Sequence, residues 1–538
     1  MELENIMIPA TNRFASLYIE QKQPVKDFFH YDLTSTVFEK RLEDLHKREF
    51  AREELVSCIK QYMERFPSSE EIKQSLNKLK QEDSTVVIGG QQAGLLTGPL
   101  YTIHKIISII HLAREQEEKL KKPVIPIFWV AGEDHDYLEI NHIFVESNRS
   151  LKKISYAEGP VEKKMISDIE FDKDHMRKWV KKVFEYLGET SETNRIIHSL
   201  ETALEQSNSL VDFFTYIVID MFKKYGLLVI DSAYEKLREL EKPFFQKIIE
   251  NQQLITDSVL LQQKQINHHD FSNTIDLSQQ AVNLFYYDGK ERILLEFNSD
   301  KNGFIGKSGE VFFTKEELLA LLETKPTAFS NNVVTRPIMQ EWLFPTLAFI
   351  AGPGEIAYWG ELKIAFEKLG FLMPPIVPRL NISFVDRFID SDLKDLNISA
   401  EKVIRLGLEQ EKHKYWDSIK DKNIEKLIND TIVFLESQYH QILEIADNGL
   451  LPIVEKNLSF HQNQLEFLQR KTDQMTQQKH DTMLEKMNRT ERFLRPNNAP
   501  QERIWNIFYF VNKYGEDFIG QLMELTYSFD GTHKLIRI

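Results

Sequence analysis

One stretch limits the fold more than any other. Val86-Val87-Ile88 runs directly into Gly89-Gly90-Gln91-Gln92-Ala93-Gly94-Leu95-Leu96-Thr97-Gly98-Pro99-Leu100-Tyr101. An apolar strand thus meets four glycines and a proline. From about Pro99 to Lys121, Ile103, Ile106, Ile107, Ile110, Leu112 and Ala113 make the apolar stripe of a helix. Pro123 to Ala131 is a continuous apolar run, as expected of a strand buried on both faces. It ends at Glu133-Asp134-His135-Asp136. A strand–helix–strand unit of this kind calls for a parallel sheet and an α/β fold. In such sheets ligands bind beyond the carboxyl ends of the strands, where these polar residues gather.

The same texture returns later in the chain. An apolar helix at 213–225 leads into a buried strand, Gly226-Leu227-Leu228-Val229-Ile230-Asp231. Pro345 to Ala351 reads as a strand entering a Gly352-Pro353-Gly354 turn. Residues 355–369 read as one helix, and Pro375 to Arg379 as a short strand. The predicted organisation places helices and the first part of the core in 1–147, a connecting insertion in 148–212, core again in 213–235, a second insertion in 236–330 and core in 331–390. The first insertion is charged (Lys152-Lys153, Glu162-Lys163-Lys164, Lys173, Lys181-Lys182) and reads as mostly solvated surface with some helix. The second reads as mixed α and β, with Asp288-Gly289 between strand formers predicting a hairpin. Up to about residue 83 the chain reads as a helical layer, with Asn12-Arg13-Phe14 unassigned.

Beyond residue 390 the period changes. Ile428, Ile432, Leu435, Tyr439, Ile442 and Ala446 alternate spacings of four and three, and Asp447-Asn448-Gly449 interrupts them. Leu451, Val454, Leu458, His461, Leu465, Leu468, Thr472 and Met475 then resume the pattern. This predicts an antiparallel helical coiled coil within 391–491, with His461 in its seam, suited to homodimerisation. A helical tail, 492–538, is expected to fold back on the core.

Composition narrows the function. The chain holds 67 basic and 82 acidic residues, a formal net charge of −15. That argues against non-specific binding to nucleic acid or to an anionic membrane. No apolar run approaches the roughly 18 residues of a membrane span. Met1-Glu2-Leu3-Glu4-Asn5 lacks the pattern of a signal peptide. Cys58 is the single cysteine, so an intrachain disulfide and a multi-thiolate zinc site are both excluded, and a packing role is expected for it. A reducing cytoplasm fits these features.

Three polar clusters stand beside strand ends. The first is Gln91, Gln92, Gly94, Gly98, Pro99, Tyr101 and Lys105, following Gly89. Its glycines let backbone approach a ligand, and the helix start favours an anion. The plainer reading is a turn that merely needs flexible backbone. Its spacing matches neither the dinucleotide GxGxxG nor the P-loop pattern. The second is Glu133-Asp134-His135-Asp136, with Asn141-His142 behind. A histidine among acids can serve as general acid or base or as a metal ligand; otherwise the loop only caps a helix. The third is Thr335-Arg336-Pro337, Gly352-Pro353-Gly354-Glu355, Tyr358-Trp359 and Arg379. Arginines there suit carboxylate or phosphate anchoring, while the dipole alone would explain Glu355.

Read in order, Gly90 through Tyr101, Phe128-Trp129-Val130-Ala131-Gly132-Glu133-Asp134-His135-Asp136 and Gly352-Pro353-Gly354-Glu355-Ile356-Ala357-Tyr358-Trp359 resemble the BshC family, assigned as the cysteine-adding enzymes of bacillithiol biosynthesis. The likeness extends over essentially the whole chain, including the coiled coil and Gln501-Glu502-Arg503. It implies a cytoplasmic ligase that joins the carboxyl of L-cysteine to the amine of glucosaminyl-malate as an amide. It also implies a Rossmann-like core resembling class I nucleotidyltransferases, two connecting insertions and a commonly dimeric coiled coil. On that reading Gln92, Lys105, Asp134 and His135 carry the chemistry. His135 or Asp134 would be the base; Gln92, Lys105 and backbone N–H groups near Gly98 would steady anionic oxygens. Gly89, Gln91, Gly94, Gly98, Pro99, Tyr101, Glu133, Asp136, Asn141, Gly352, Gly354, Glu355, Tyr358 and Trp359 would line the substrate site. Arg336 and Arg379 would hold the malate carboxylates. Ser383, Arg492, Arg495, Arg503, Trp505 and Asn506 would offer a separate nucleotide surface, with packing the alternative for Trp505. ATP, with Mg as its counterion, is the co-substrate that a related mycothiol ligase suggests. This chain lacks the histidine-rich and lysine-serine motifs of synthetases, so the manner of cysteine activation stays open. No thiolate-ligated zinc is expected. Two rivals remain: a metal-dependent hydrolase or transferase using Asp134-His135-Asp136, and a coiled-coil scaffold without catalysis.

Overall fold

A computed structural model describes residues 1–159, 163–307, 309 and 311–538; Glu162 of the charged run lies outside them. The chain divides into two compact units, Met1–Ser383 with Gln501–Ile536, and Phe384–Pro500 with Arg537–Ile538.

The first unit is built on a five-stranded parallel sheet. Its strands are β1 (Thr85–Gln91), β2 (Val124–Val130), β3 (Leu228–Asp231), β4 (Thr346–Ala351) and β5 (Ile376–Pro378). Their order across the sheet is β5-β4-β1-β2-β3. Every residue of β2, β3 and β4 is buried, which is why these runs read as unbroken apolar sequence. The chain steps from β1 outward to β2 and β3, then returns to the other side of β1 for β4 and β5. That reversal opens a crevice at the carboxyl ends of β1 and β4. Register brings the clusters to one edge: Gln91 pairs with Val130, Val130 with Asp231, and Phe349 with Ile88.

Helix Leu100–Leu120 covers one face of the sheet. Gly89 allows the approach: a Cβ there would stand 3.1 Å from both Ile109 Cδ1 and Ile350 O. The predicted single helix at 355–369 is two, Pro353–Trp359 and Lys363–Lys368.

The first insertion is not mostly solvated. Its helices Lys173–Leu187 and Thr193–Glu205 bury Met176, Trp179, Val183, Phe184, Ile196 and Leu200, and the lysines decorate the opposite faces. A strand pair, His142–Ser147 with Ser150–Ser155, precedes them. The second insertion contains a five-stranded antiparallel sheet, and Tyr287 faces Arg292 across the Asp288-Gly289 turn, where Gly289 has φ +98°. The N-terminal region is mainly helical but begins with a strand, Glu2–Ile6, beside strand His533–Arg537. Asn12 now has a role. It caps helix Arg13–Ile19, and its Nδ2 donates to Pro353 O at 3.0 Å, bracing the turn after β4.

In the second unit, arms Lys422–Ile445 and Leu451–Lys479 form the antiparallel hairpin. Gln462 donates to Glu436 at 2.8 Å, and Tyr439 donates to Asn457 across the arms. The seam differs from the heptad reading. It runs through Ile428, Ile432, Leu435 and Tyr439, then through Leu451, Val454 and Leu458 to Gln462, Leu465 and Gln469. His461 faces outward, and Ile442, Leu468 and Met475 are 42%, 50% and 59% exposed. The inward face has slipped by one residue, as a 3.6-residue helix does against a strict seven-residue repeat. At the base of the arms, Arg489 grips Asp392 with two bonds of 2.8 Å. Among the described residues no helix is long and apolar enough to cross a membrane.

Candidate active site

The crevice at the sheet switch is a polar cavity of about 380 Å³. The three clusters meet on its wall. Gln91, Gln92, Tyr101 and Lys105 come from the first, Asp134 from the second, and Arg336, Gly352, Gly354, Glu355, Tyr358 and Arg379 from the third. Gln340, Glu139 and Arg503 complete its polar lining. The amides of Gln91 and Gln92 have no hydrogen-bond partner among the described residues, so both are available to a ligand.

The glycine turn runs beside the cavity between Gln92 and Tyr101, so the expected site residues Gly94, Gly98 and Pro99 stand off its wall. Leu96 and Thr97 have φ of +49° and +73°, a region that costs a non-glycine residue about 1–3 kcal/mol. Gly98 follows at φ +68°, and a Cβ on Gly94 would stand 2.7 Å from Gly98 Cα. The strained turn is held by the tail. Asn506 Nδ2 donates to Leu96 O and Gly98 O, each at 2.7 Å, and Leu100 N–H donates to Trp505 O at 2.9 Å. These contacts correct the expected anion cradle. Gly98 N–H is spent on Leu95 O, Leu100 N–H on Trp505 O and Thr102 N–H on Pro99 O, so the helix start near Pro99 is largely closed.

Lys105 is buried along the floor. Its Nζ lies 2.5 Å from Glu355 Oε2 and donates to Gly90 O at 2.7 Å. Burial lowers the pKa of this ammonium, and Glu355 opposes the shift. Glu355 also accepts Gly352 N–H at 2.7 Å, which fixes the turn after β4. Arg379 is forked onto Glu502, with both bonds 2.7 Å, and His104 Nδ1 lies 3.2 Å from the same carboxylate. Burial pushes Glu502 up, but Arg379 and His104 outweigh it and hold the carboxyl far below its ordinary range.

The acidic loop after β2 is locked from behind. Glu133 is fully buried, accepts from Arg336 Nε at 2.8 Å and from Asn331 N–H at 3.3 Å, and pairs with Arg238. Arg238 also pairs with Glu241 at 2.5 Å. Asp134 pairs with Arg336 and faces Arg292 at 3.4 Å. Burial raises both carboxyls, yet the arginines prevail and keep Glu133 and Asp134 ionised. Arg292 and Arg238 do not stand out in the sequence, because each meets its acid of the Glu133-Asp134 loop across more than 100 residues; Glu502 stands in a recognised segment, but its partner Arg379 lies 123 residues away. Arg292 lies over the Phe285 ring at 3.8 Å and turns an N–H toward His135 Nδ1 at 3.5 Å. Burial, then Arg292, lowers the His135 pKa below the usual histidine value, against Asp136 and Asp134.

Several expected site residues stand elsewhere. Gly89 serves helix packing, and Glu133 serves the ion network. His135 lies beside the cavity rather than on its wall, and Asp136 is exposed, 4.0 Å from His135 Nε2. Asn141 is buried and donates to Tyr156 O at 3.2 Å. Trp359 packs on Phe349 with ring centroids 4.6 Å apart. Ser383 shares a 2.9 Å hydrogen bond with His533. Arg492 and Arg495 belong to the second unit, bonding Glu485 at 3.2 Å and the Arg405 carbonyl at 2.6 Å. Trp505 and Asn506 are buried and hold the glycine turn, so neither presents a face to a nucleotide. Cys58 is buried, and burial raises its thiol to about 12, so the packing role stands. Among the described residues no three His, Cys, Asp or Glu side chains converge as metal ligands.

Comparison with known proteins agrees with this architecture. Residues 1–380 match the family model "Bacillithiol biosynthesis BshC, N-terminal Rossmann-like domain". Residues 382–538 match "Bacillithiol biosynthesis BshC, C-terminal coiled-coil domain". Relatives named "Putative cysteine ligase BshC" include one from Geobacillus sp. (strain WCH70), 44% identical with 100% of each chain covered. Those from Anoxybacillus flavithermus and Bacillus cereus (strain AH187) are 41% and 39% identical, again over 100% of each chain. With both family models matched in order and relatives aligned from end to end, the chain belongs to the BshC family.

Proposed function

We propose that this protein performs the cysteine-adding step of bacillithiol biosynthesis in the crevice between β1 and β4. The carboxyl of L-cysteine is joined there to the amine of glucosaminyl-malate, giving an amide, and one carboxyl oxygen leaves as water or, where the carboxyl is first activated, with the activating group. The observation that carries this reading is the convergence of the three family motifs on one polar cavity of about 380 Å³. Amide formation needs a base for the attacking amine and donors for the developing oxyanion. Asp134 is tied to Arg336 and held ionised well below neutrality, so it positions rather than accepts a proton. His135, held neutral near pH 7, is the base on this reading, with the acceptor amine directed toward its side of Asp134. The free amides of Gln91 and Gln92 supply donors from β1 and its turn.

Nucleotide activation of cysteine is a separate proposal, and the glycine turn does not favour a triphosphate. Its helix start is closed by Trp505 and Pro99 carbonyls, and Lys105 is committed to Glu355. No step is therefore routed through ATP. The homodimer is proposed through the hairpin, whose outer faces show Phe434, Phe460 and Phe467 at 62%, 57% and 50% exposure. A cytoplasmic site of action fits a chain with one buried thiol.

The test supplies purified protein with cysteine, glucosaminyl-malate and either ATP or no nucleotide, and follows product by mass spectrometry. Amide formed only with ATP, with AMP released, supports adenylate activation. Amide formed without nucleotide rejects ATP but keeps the ligase. No amide under either condition overturns the function.

A further inference from the structure

Four cationic side chains line the cavity: Lys105, Arg336, Arg379 and Arg503. Three are already spent. Lys105 is on Glu355, Arg336 on Glu133 and Asp134, and Arg379 on Glu502. Arg503 differs. It is exposed on the cavity wall, and its guanidinium has no hydrogen bond or ion pair among the described residues. Its field reaches the buried phenol of Tyr101 on the same wall, opposing the rise that burial imposes there.

The base that carries Arg503 is rigid. It stands on the short helix Gln501–Ile504. The residue before it, Glu502, grips Arg379 and faces His104. Two residues after it, Trp505 O holds Leu100 N–H at 2.9 Å, and Asn506 clamps the Leu96–Gly98 carbonyls. A guanidinium so presented, with its donor fork unspent, is suited to a carboxylate or phosphate from solution.

We propose that Arg503 is the specificity residue for the acceptor: it takes a carboxylate of the malyl group, the task expected of Arg336 and Arg379. This rests on the ligase reading above. Cysteine's carboxyl loses its charge when it becomes an amide, whereas the malyl carboxylates stay anionic throughout. A fixed cation can therefore hold the acceptor in ground state and transition state alike, which lowers KM rather than raising kcat. Phosphate is the other anion of matching chemistry, and the test separates the two.

Glucosaminyl-malate binding is measured by calorimetry for the full chain as wild type, Arg503→Lys and Arg503→Ala, with methyl glucosaminide as the neutral comparison ligand. Arg503→Ala is expected to weaken glucosaminyl-malate by roughly ten- to a hundred-fold, the range of one charge-assisted contact. Arg503→Lys is expected to recover part of it, and methyl glucosaminide to bind all three proteins alike. In turnover, the loss appears in the KM for acceptor and not in the KM for cysteine or ATP. Unchanged acceptor affinity, an equal loss for the neutral glucosaminide, or a loss confined to the KM for ATP would overturn the assignment. The two readings fail separately. A wild-type protein that makes no amide rejects the ligase. A wild-type ligase whose Arg503→Ala variant binds acceptor normally rejects the anchor.

Discussion

The arginines around the cavity, Arg503 apart, serve buried acids. Arg336 and Arg379 line the cavity, Arg238 and Arg292 stand behind it, and all four are paired with carboxylates. Such pairs fix geometry at the cost of desolvation, and removing one partner strands the other charge. Glu502→Gln should therefore destabilise the protein by about 3–5 kcal/mol, measured by chemical denaturation at pH 7. The pH dependence follows from direction. Glu502, Glu133 and Asp134 have folded pKa values below their unfolded ones. The stability they contribute is present above the unfolded carboxylate value of about 4, and is lost as pH falls below it. Thermal melts should show Glu502→Gln converging on wild type as pH drops below about 4. A variant with the same deficit at every pH would contradict the linkage.

At the level of elements, legibility followed burial. β1, β2 and β4 could be read from sequence because both faces are covered over most of their length and their central residues are apolar. Strand His533–Arg537 could not, since Lys534 is fully buried only by virtue of its bonds to Asp530, Ser528 and Thr532. The charged insertion hid two amphipathic helices for a related reason: in the first of them the lysines of the outer face stand between the buried Met176, Trp179, Val180, Val183 and Phe184 and mask their period. Site positions on loops were legible as clusters, but their partners were not. Arg292 arrives from a strand of the second insertion, and Glu502 from the tail. In the hairpin, heptad counting found both arms but placed His461, Leu468 and Met475 inside, where Gln462 and Gln469 stand. Leu468 and Met475 lie outside as a result, and with Phe460 and Phe467 they leave the hairpin's outer face partly apolar. If the hairpin is the proposed dimer interface, Phe460→Asp combined with Phe467→Asp should give a monomer in light scattering where wild type gives a dimer, with helicity by circular dichroism intact. A dimer that survives both changes would move the interface elsewhere.

For the molecule as a whole, a sheet reversal creates a crevice and three motifs converge on it; the proposed joining of cysteine to glucosaminyl-malate is placed there. The tail contributes by clamping the strained turn through Asn506 and by presenting Arg503. The most direct measurement is product formation by wild type, Gln92→Ala and His135→Ala, followed by mass spectrometry, with each variant first shown to be folded. The account predicts cysteinyl amide from wild type and a loss of about a hundred-fold or more in turnover for His135→Ala, the range of a general base. Gln92→Ala should lose turnover in the same assay. Folded variants that make the amide at the wild-type rate would show that the bond is formed somewhere else.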